Sequence, residues 1–303
     1  PDFIHTLYTQ KALDTALKGP GKVHFTPGTG SNLTINHYHY YPRLHGPGTL
    51  TAITSGTLTA HGDATITTVT GGHLTAHDDV TITEVTGGTV DARGHATITT
   101  MTGGDATAHG RVTITTVTGG DASVLDDVTI TAVTGGTVRA CDHATITEVT
   151  GGTVWAKGHA TITTMTAGYL TVLDNVTITE VTGGTVDARG HATITTMTDG
   201  TLTALGHATI TTMTGGTVYL YGSNATITTM TGGIATVTGG TVWAYQNAQV
   251  HVPAGTNAVI HAHDNAHITA ESGTIHIHNP TVTLTNINNG ATINYPDNHD
   301  ELY

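Results

Sequence analysis

Charge, cysteine and long apolar runs are all scarce in this chain. Only 10% of its 303 residues are Asp, Glu, Lys or Arg, whereas about a quarter of an ordinary globular protein is charged. The nine Lys and Arg residues form no cluster that could meet phosphate groups, and the net charge is −13 with His neutral, which argues against nucleic acid and anionic membranes as partners. The single cysteine, Cys141, permits no intrachain disulfide. No apolar run approaches the roughly 18 residues of a membrane-spanning helix, so we expect no membrane insertion.

Threonine, glycine and β-branched aliphatic residues are abundant in place of charged residues. Glycine contributes 39 residues, and threonine is the dominant polar residue. Disordered chains normally carry more charge and fewer β-branched residues, whereas Val, Ile and Thr are typical of β-strands. The composition therefore predicts an all-β fold.

The dominant feature of the sequence is an internal repeat of 16 residues, counted as eleven units from Thr57. A Gly pair closes each unit, except where the pair begins with Ala167 or Asp199 instead. This organisation predicts three regions: residues 1–56 as an N-terminal cap with the first irregular coils, residues 57–233 as the regular repeats, and residues 234–303 as irregular C-terminal coils with a cap.

One unit, "TVDARGHATITTMTGG" from Thr89 to Gly104, shows how the repeat can fold. Apolar or small residues alternate with polar ones, which is the pattern of a strand with one buried face. Gly94, replaced by Asp in several units, and the closing Gly pair are typical of tight corners with left-handed backbone angles. A two-strand unit can bury its apolar side only against its neighbours, so we predict a parallel β-solenoid (β-helix) with one coil per 16 residues. The expected inward set is Val90, Ala92, Ala96, Ile98 and Met101.

The two ends depart from the repeat, as capping would require. The segment "QKALDTALKGPG" at residues 10–21 predicts a short capping helix, ended by Gly19, that covers the open end of the first coil. The segment "GGIATVTGG" predicts a register break, and the alternation after it predicts coils as far as about Ile293. The apolar face of the helix is expected to contain Ala12, Leu13, Ala16 and Leu17.

The segment "ALDTALKGPGKVHFTPGTG", Ala12 to Gly30, resembles the opening of bacterial and phage pectate-lyase-like β-helix proteins. In that superfamily a capping helix leads through a Gly-rich turn into a first strand that ends in Pro-Gly. The resemblance implies right-handed coiling and an extracellular, cell-surface or virion location, but it implies no lyase activity. A start at Pro1 without a signal-peptide pattern predicts an excerpt or a processed form.

The most constant outward feature is a pair of threonines around a central isoleucine, as in Thr97 and Thr99. A third unbroken column contains Thr102, whereas the opposite strand varies. Threonines repeated on coils about 4.8 Å apart would form a regular array of hydroxyl and methyl groups. The columns resemble the Thr-x-Thr arrays of insect and plant antifreeze solenoids, which implies ice as a partner, although threonine ladders are also typical of ordinary exposed sheets. The candidate surface array is Thr65, Thr67, Thr81, Thr83, Thr97, Thr99, Thr113, Thr115, Thr129, Thr131, Thr145, Thr147, Thr161, Thr163, Thr177, Thr179, Thr193, Thr195, Thr209 and Thr211.

Aromatic side chains on or beside the variable strand form the second candidate surface. Outward aromatics on a fixed scaffold can stack on sugar rings or dock a protein. We therefore predict a cell-surface glycan or a protein as the partner, with ice as the alternative. The candidate recognition aromatics are Trp155, Tyr169, Tyr219 and Trp243.

Histidine pairs recur along the chain, but each pair offers only two obvious ligands. Structural zinc normally takes four, so we interpret these residues as exposed polar residues and predict no metal site and no cofactor. The pairs are His143–His159, His191–His207, His261–His263 and His276–His278.

No catalytic constellation is indicated. Acid pairs such as Asp78–Asp79 fall in turns, where Asp is favoured for backbone reasons, and no acid and base are indicated at a working separation. We predict a non-catalytic extracellular or virion-surface solenoid, monomeric or homo-oligomeric, that serves as a stalk or a surface- and host-recognition element. The alternatives are an ice-binding protein that uses the threonine array and a polysaccharide-cleaving, tailspike-like enzyme.

Overall fold

A computed structural model describes residues 4–18, 23–37, 42–222, 224–285, 287–288 and 290–295. The chain is an all-β parallel β-solenoid with about 16 residues per turn, which confirms the fold predicted from the repeat. It divides into two compact units, Pro1–Trp155 and Ala156–Tyr303. Within each unit, one sheet, named sheet A, holds the variable strands, and the other, named sheet B, holds the Thr-Ile-Thr strands. The predicted division into three regions stays a prediction.

The first unit contains a short helix and alternating strands of sheets A and B. Its elements are β1 (Ile4–Leu7), α1 (Gln10–Lys18), β2 (His24–Pro27), β3 (Thr34–His37), β4 (Arg43–His45), β5 (Thr49–His61), β6 (Thr65–Val69), β7 (His73–Ala76), β8 (Thr81–Val85), β9 (Thr89–Gly94), β10 (Thr97–Met101), β11 (Asp105–Gly110), β12 (Thr113–Val117), β13 (Asp121–Leu125), β14 (Thr129–Val133), β15 (Thr137–Ala140), β16 (Thr145–Val149) and the first residues of β17 (Thr153–Gly158).

The second unit continues the alternation of strands from the end of β17. Its elements are β18 (Thr161–Met165), β19 (Tyr169–Asp174), β20 (Thr177–Val181), β21 (Thr185–Gly190), β22 (Thr193–Met197), β23 (Thr201–Gly206), β24 (Thr209–Met213), β25 (Thr217–Leu220), β26 (Thr226–Met230), β27 (Ile234–Val237), β28 (Thr241–Ala244), β29 (Gln249–Val252), β30 (Val259–Ala262), β31 (His267–Ala270), β32 (Ser272–Ile277), β33 (Thr283–Thr285) and β34 (Gly290–Asn294).

The core is a set of stacked columns, because equivalent residues of successive coils are paired in register. In sheet B of the first unit, Ile98 pairs with Ile82 on one side and with Ile114 on the other. Stacked apolar columns bury each side chain against its own equivalents, so every coil depends on its neighbours. The predicted inward set is confirmed, since each of its members is fully buried: Val90, Ala92, Ala96, Ile98 and Met101.

The corners use left-handed backbone angles at two places in each coil between Thr57 and Gly216. At the first corner, Gly94 has φ +78° and its equivalent Asp78 has φ +63°, which confirms that Gly and Asp share this column because both tolerate the conformation. At the second corner the second glycine of the pair is left-handed, with φ +74° at Gly104.

The Thr-Ile-Thr strand bends at its centre. Between the inward residues Ile98 and Met101, Thr99 and Thr100 both lie on the outer surface, and the ladder registers Thr100 but not Thr99 with the next coil. The face that carries Thr97 and Thr99 therefore ends at the bend. The acidic residues of this region share the column of Thr100, on the other side of the bend: Glu84, Glu148 and Glu180.

The predicted N-terminal helix is present and lies at the edge of β3, on sheet B of the first unit. Leu13 and Leu17 are buried, whereas Ala12, expected on the same face, is exposed. The Thr34 N–H donates to Gln10 Oε1 (2.7 Å), and Gln10 Nε2 donates to the Thr34 carbonyl (2.8 Å). The glutamine amide thus forms hydrogen bonds with backbone groups at the edge of β3, as a neighbouring strand would.

Two other features of this end bear on the sequence predictions. Strand β1 precedes the helix and pairs with β2, so the solenoid begins earlier than the sequence predicted. The predicted helix stop at Gly19 lies outside the described residues. No helix in the described ranges is long and apolar enough to cross a bilayer.

The predicted register break in the second unit is confirmed. The pairing of β26 with β28 shifts between Ile227 and Met230, and Thr241 pairs with Thr226. Trp243 therefore lies on sheet B, which corrects its predicted position on or beside the variable strand. Strand β34 includes Ile293, so the coils extend as far as predicted.

Candidate functional site

The threonine array forms two columns on sheet B within each unit. The column of Thr97 is half-buried, and the column of Thr99 is mostly exposed. The Thr97 column is paired in register from coil to coil, as in the pairing of Thr97 with Thr113, and the Thr99 column recurs once in each coil beside it. Among the described residues, none of the twenty array hydroxyls forms a hydrogen bond with another protein group. The hydroxyls of the array are therefore available to water or to a ligand.

The third threonine column has a structural role instead. Thr102 Oγ1 lies 3.4 Å from the Val85 carbonyl of the preceding coil, and its own backbone N–H donates to the same oxygen (2.8 Å). The Thr118 hydroxyl repeats this contact with Met101 at 3.3 Å. These hydroxyls supplement the backbone ladder next to the Gly corner. The same contact recurs in the column, so the fold accounts for threonine at these further positions: Thr70, Thr86, Thr134 and Thr182.

In the first unit, Trp155 is the most exposed large aromatic residue of the variable face, at 50%. The Arg139 guanidinium lies 5.3 Å from the centroid of its ring, which is a cation–π distance. One part of the indole is thus occupied by a neighbouring residue of the same sheet.

In the second unit, three tyrosines extend from sheet A. Tyr169 is 41% exposed, Tyr219 37% and Tyr221 49%. Tyr219 pairs with Thr203 on one neighbouring coil and with Thr236 on the other, so no large side chain covers it from its own column. Tyr219 and Tyr221 present nearly parallel rings, 8° apart in plane and 6.4 Å apart between centroids.

A histidine ladder on sheet A of the first unit was not predicted. His24, His45, His61 and His77 stack in sequence at 5.1, 5.3 and 4.9 Å between ring centroids, and His24 Nδ1 lies 3.0 Å from His45 Nε2. The sequence contained a signal for it, because His45, His61 and His77 are spaced by one coil each.

Two members of the ladder, His45 and His61, resist protonation. Burial, then the charges that His24 and Arg43 can contribute, lower the pKa of His45 below its ordinary value of 6.5. For His61, burial and then His77, His45 and Arg43 lower the pKa, with Asp78 opposing them. Like charges one coil apart repel, and a half-buried imidazolium is poorly solvated.

We predict that acidification destabilises the first unit through this ladder. A histidine whose pKa is lower in the folded chain contributes full stability above its unfolded pKa of about 6.5, and this stability is lost as the pH falls below that value, because the unfolded chain then binds more protons. The melting temperature, followed by circular dichroism, should be lower at about pH 5 than at about pH 7.5. His61→Asn should reduce this difference, and an equal or larger difference in the variant would contradict the prediction.

A second group of histidines lies on sheet B of the second unit. His261 pairs in register with His276 on the next coil, and their rings stack at 4.9 Å. His263 and His278, which follow the same two strands, stack at 4.3 Å. His261 Nδ1 lies 3.1 Å from His278 Nε2. We call these four residues the histidine grid.

Aromatic residues flank the histidine grid on its N-terminal side. Trp243 stacks on His261 at 5.0 Å and Tyr245 stacks on His263 at 4.5 Å. Burial, followed by the neighbouring histidines, lowers the pKa of His261 and of His263, with Asp264 opposing the shift at His263. Because His261 covers one face of Trp243, this predicted recognition residue is less available to a ligand than the tyrosines of sheet A.

Other predicted pairs differ in their contacts. His191 and His207 stack at 4.6 Å in the second unit. Among the described residues, no group of three or more His, Cys, Asp or Glu side chains is placed to hold a metal ion. The described histidine stacks are ladders of paired rings.

Two of the acids, Asp91 and Asp187, and one surface pocket show what surrounds the candidate catalytic groups in the described residues. Asp91 and Asp187 are paired with arginines of their own strands, Arg93 at 2.6 Å and Arg189 at 2.7 Å. A surface pocket of about 560 Å³ in the first unit is lined by the turns at residues 27–32 and 47–49, which carry no titratable side chain.

No family model matches this chain, and no curated protein and no solved structure is significantly similar to it. The relation of the N-terminal segment to pectate-lyase-like proteins therefore stays a prediction.

Proposed function

We propose that the protein is a non-catalytic recognition element, in an extracellular or virion-surface setting, whose sheet A tyrosines bind carbohydrate. The observation that carries the proposal is the exposure of Tyr169, Tyr219 and Tyr221 on one sheet of the second unit. Large aromatic side chains exposed together on a folded protein are typical of binding sites. Their rings offer apolar faces for the C–H groups of a sugar and hydroxyls for its polar rim.

The backbone beneath the tyrosines favours binding with little ordering cost. The Tyr221 N–H donates to the Ala204 carbonyl at 2.9 Å, and β25 is paired on both sides. A tyrosine fixed at its backbone has only two side-chain torsions to order. The small threonines on either side of Tyr219 leave room for a sugar ring beside it.

The negative net charge of the chain favours neutral carbohydrates over acidic ones as ligands. With a net charge of −13, the protein repels sulfated and carboxylated glycans at long range. We therefore propose neutral glycans as the ligand class, and a protein partner would be an alternative outcome of the test.

We predict that the double variant Tyr219→Ser/Tyr221→Ser loses binding to the glycan that the parent protein recognises. Loss of a central aromatic contact costs about 2 kcal/mol, or about thirtyfold in Kd. The matched control is Tyr295→Ser, because Tyr295 is 67% exposed but lies on the last described coil. Isothermal titration calorimetry would measure the three affinities, and equal weakening in the control and the double variant would contradict the assignment.

Ice binding is the second candidate, and one observation favours it. The hydroxyls of the Thr97 and Thr99 columns have no protein partner among the described residues, whereas hydroxyls of the third column such as those of Thr102 and Thr118 do. A repeating lattice of free hydroxyls and methyls is the kind of surface that an ice-binding solenoid would use. Thermal hysteresis that disappears in Thr131→Tyr but persists in Thr118→Val would support this candidate, and no hysteresis in the parent at high concentration would eliminate it.

A further inference from the structure

The histidine grid places four imidazoles on two neighbouring strands of one sheet. His261 and His276 face the same side on paired positions of β30 and β32, and His263 and His278 lie two residues further along each strand. Both later positions are held by backbone hydrogen bonds: the His263 N–H donates to the Ala244 carbonyl and the His278 N–H donates to the Ala262 carbonyl, each at 2.9 Å. The positions of the four side chains are thus set by the sheet and not by a flexible loop.

Stacking also restricts the orientation of the central ring. His261 lies between Trp243 at 5.0 Å and His276 at 4.9 Å, with interplanar angles of 9° and 10°. Its Nδ1 is hydrogen-bonded to His278 Nε2, 3.1 Å away, so a metal ion that binds both nitrogens replaces the proton between them, which the donor imidazole can carry on its other ring nitrogen. His278 is exposed, so the pair of nitrogens can be reached from solvent.

The distance between these nitrogens suits two ligands of one metal ion. Imidazole nitrogens bind a first-row dication at about 2.0–2.1 Å, so two nitrogens separated by 3.1 Å would subtend roughly 98° at the ion. That angle is close to the right angle between neighbouring ligands of a tetragonal or octahedral ion. It is smaller than the tetrahedral angle preferred by structural zinc, and it leaves the remaining positions to water.

We propose that His261 and His278 form an open two-imidazole site for a transition-metal dication, with Cu²⁺ and then Ni²⁺ as the preferred ions. Imidazole suits both ions, and the general affinity order places Cu²⁺ above Ni²⁺ and Zn²⁺. The site has two protein ligands, which agrees with the absence of any set of three or more possible ligands among the described residues. This inference is independent of the proposed glycan binding, because the tyrosines lie on sheet A and the grid on sheet B.

A histidine pair in the first unit provides a comparison for this proposed metal site. His24 and His45 have nearly the same nitrogen–nitrogen separation, 3.0 Å, but His24 is only 7% exposed. If separation alone decided binding, both pairs would bind the metal equally. Accessibility favours the pair formed by His261 and His278.

Titration of the tag-free, full-length chain with CuCl₂ and NiCl₂ tests the proposal. His278→Asn should weaken Cu²⁺ binding about tenfold or more, since it converts a two-point attachment into a single one, whereas His45→Asn should leave it unchanged. Cu²⁺ electron paramagnetic resonance should show coupling to one imidazole nitrogen fewer in His278→Asn. Circular dichroism would confirm that the variant is folded. Equal affinity in the parent and His278→Asn, a matching loss in His45→Asn, or no Cu²⁺ binding by the parent would overturn it.

Discussion

Replacing Gly104 by Ala is expected to lower the free energy of unfolding by about 3 kcal/mol. Gly104 has φ +74°, and a Cβ atom there would lie 2.7 Å from the Gly87 carbonyl carbon and from the Gly88 oxygen. A left-handed conformation costs an alanine about 1–2 kcal/mol, and the clash with fixed backbone of the preceding coil adds to that cost. Denaturation by urea, followed by circular dichroism, would measure the loss.

Gly103→Ala is the matched control for this prediction. Its Cβ would also approach backbone, at 2.5 Å from the Thr86 oxygen, but the chain itself carries Ala167 at the equivalent position of another coil. There the following glycine, Gly168, has φ +89°, so a small rotation of the corner accommodates the methyl group. Gly103→Ala should therefore cost less than Gly104→Ala, and the reverse order would contradict this account of the corner.

Ile130→Ala is expected to destabilise its coil by about 2–5 kcal/mol, the range for truncating a fully buried aliphatic side chain. Ile130 has no exposed surface and pairs with Ile114 and Ile146 on the two neighbouring coils, so the cavity would open in the middle of the stack. Because repeat proteins can lose stability locally, hydrogen exchange of peptides from the surrounding coils is the appropriate measurement.

Thr131→Val tests the adjacent outward position. The change keeps the β-branched shape and removes a hydroxyl that has no protein hydrogen bond in the described part of the chain, so we expect a change within about 0.5 kcal/mol. A loss as large as that of Ile130→Ala would show that the outward threonines are needed by the fold, and it would remove the argument that they are free for a ligand.

The sequence predicted the architecture of the coil well because every unit of the repeat contains the same structural signals. Period-two alternation identified the inward columns, and the exchange of Gly94 with Asp in other units identified a left-handed corner, since few residue types share that tolerance. Both signals are local to a unit and recur in every copy, so one unit was enough to derive the architecture.

The positions that the sequence placed wrongly or missed depend on register. The letters "TVWA" occur from Thr153 and again from Thr241, but the second copy lies on sheet B because a shortened coil shifts the pattern: β27 already supplies the sheet A strand, and Thr241 pairs with Thr226 on sheet B. Period alone cannot show on which sheet a strand lies after such a shift. Trp243 was therefore assigned to the wrong sheet.

The candidate sites were only partly predictable for a related reason. The exposed tyrosines could be read from their outward positions, but their accessibility depends on the small residues of adjacent coils. The histidine ladder and the histidine grid could be found only by knowing which strands are paired. The sequence indicates that pairing only where the 16-residue spacing is regular. The separate role of the Thr102 column depends on a carbonyl of the preceding coil, Val85, and no pattern within one unit indicates it.

The most direct test of the proposed function is binding of the fluorescently labelled chain to an array that contains both neutral and acidic cell-surface glycans. The account predicts selective binding to neutral glycans, and loss of this signal in Tyr219→Ser/Tyr221→Ser. Binding to acidic glycans alone, or no binding to any glycan by the folded parent, would contradict it.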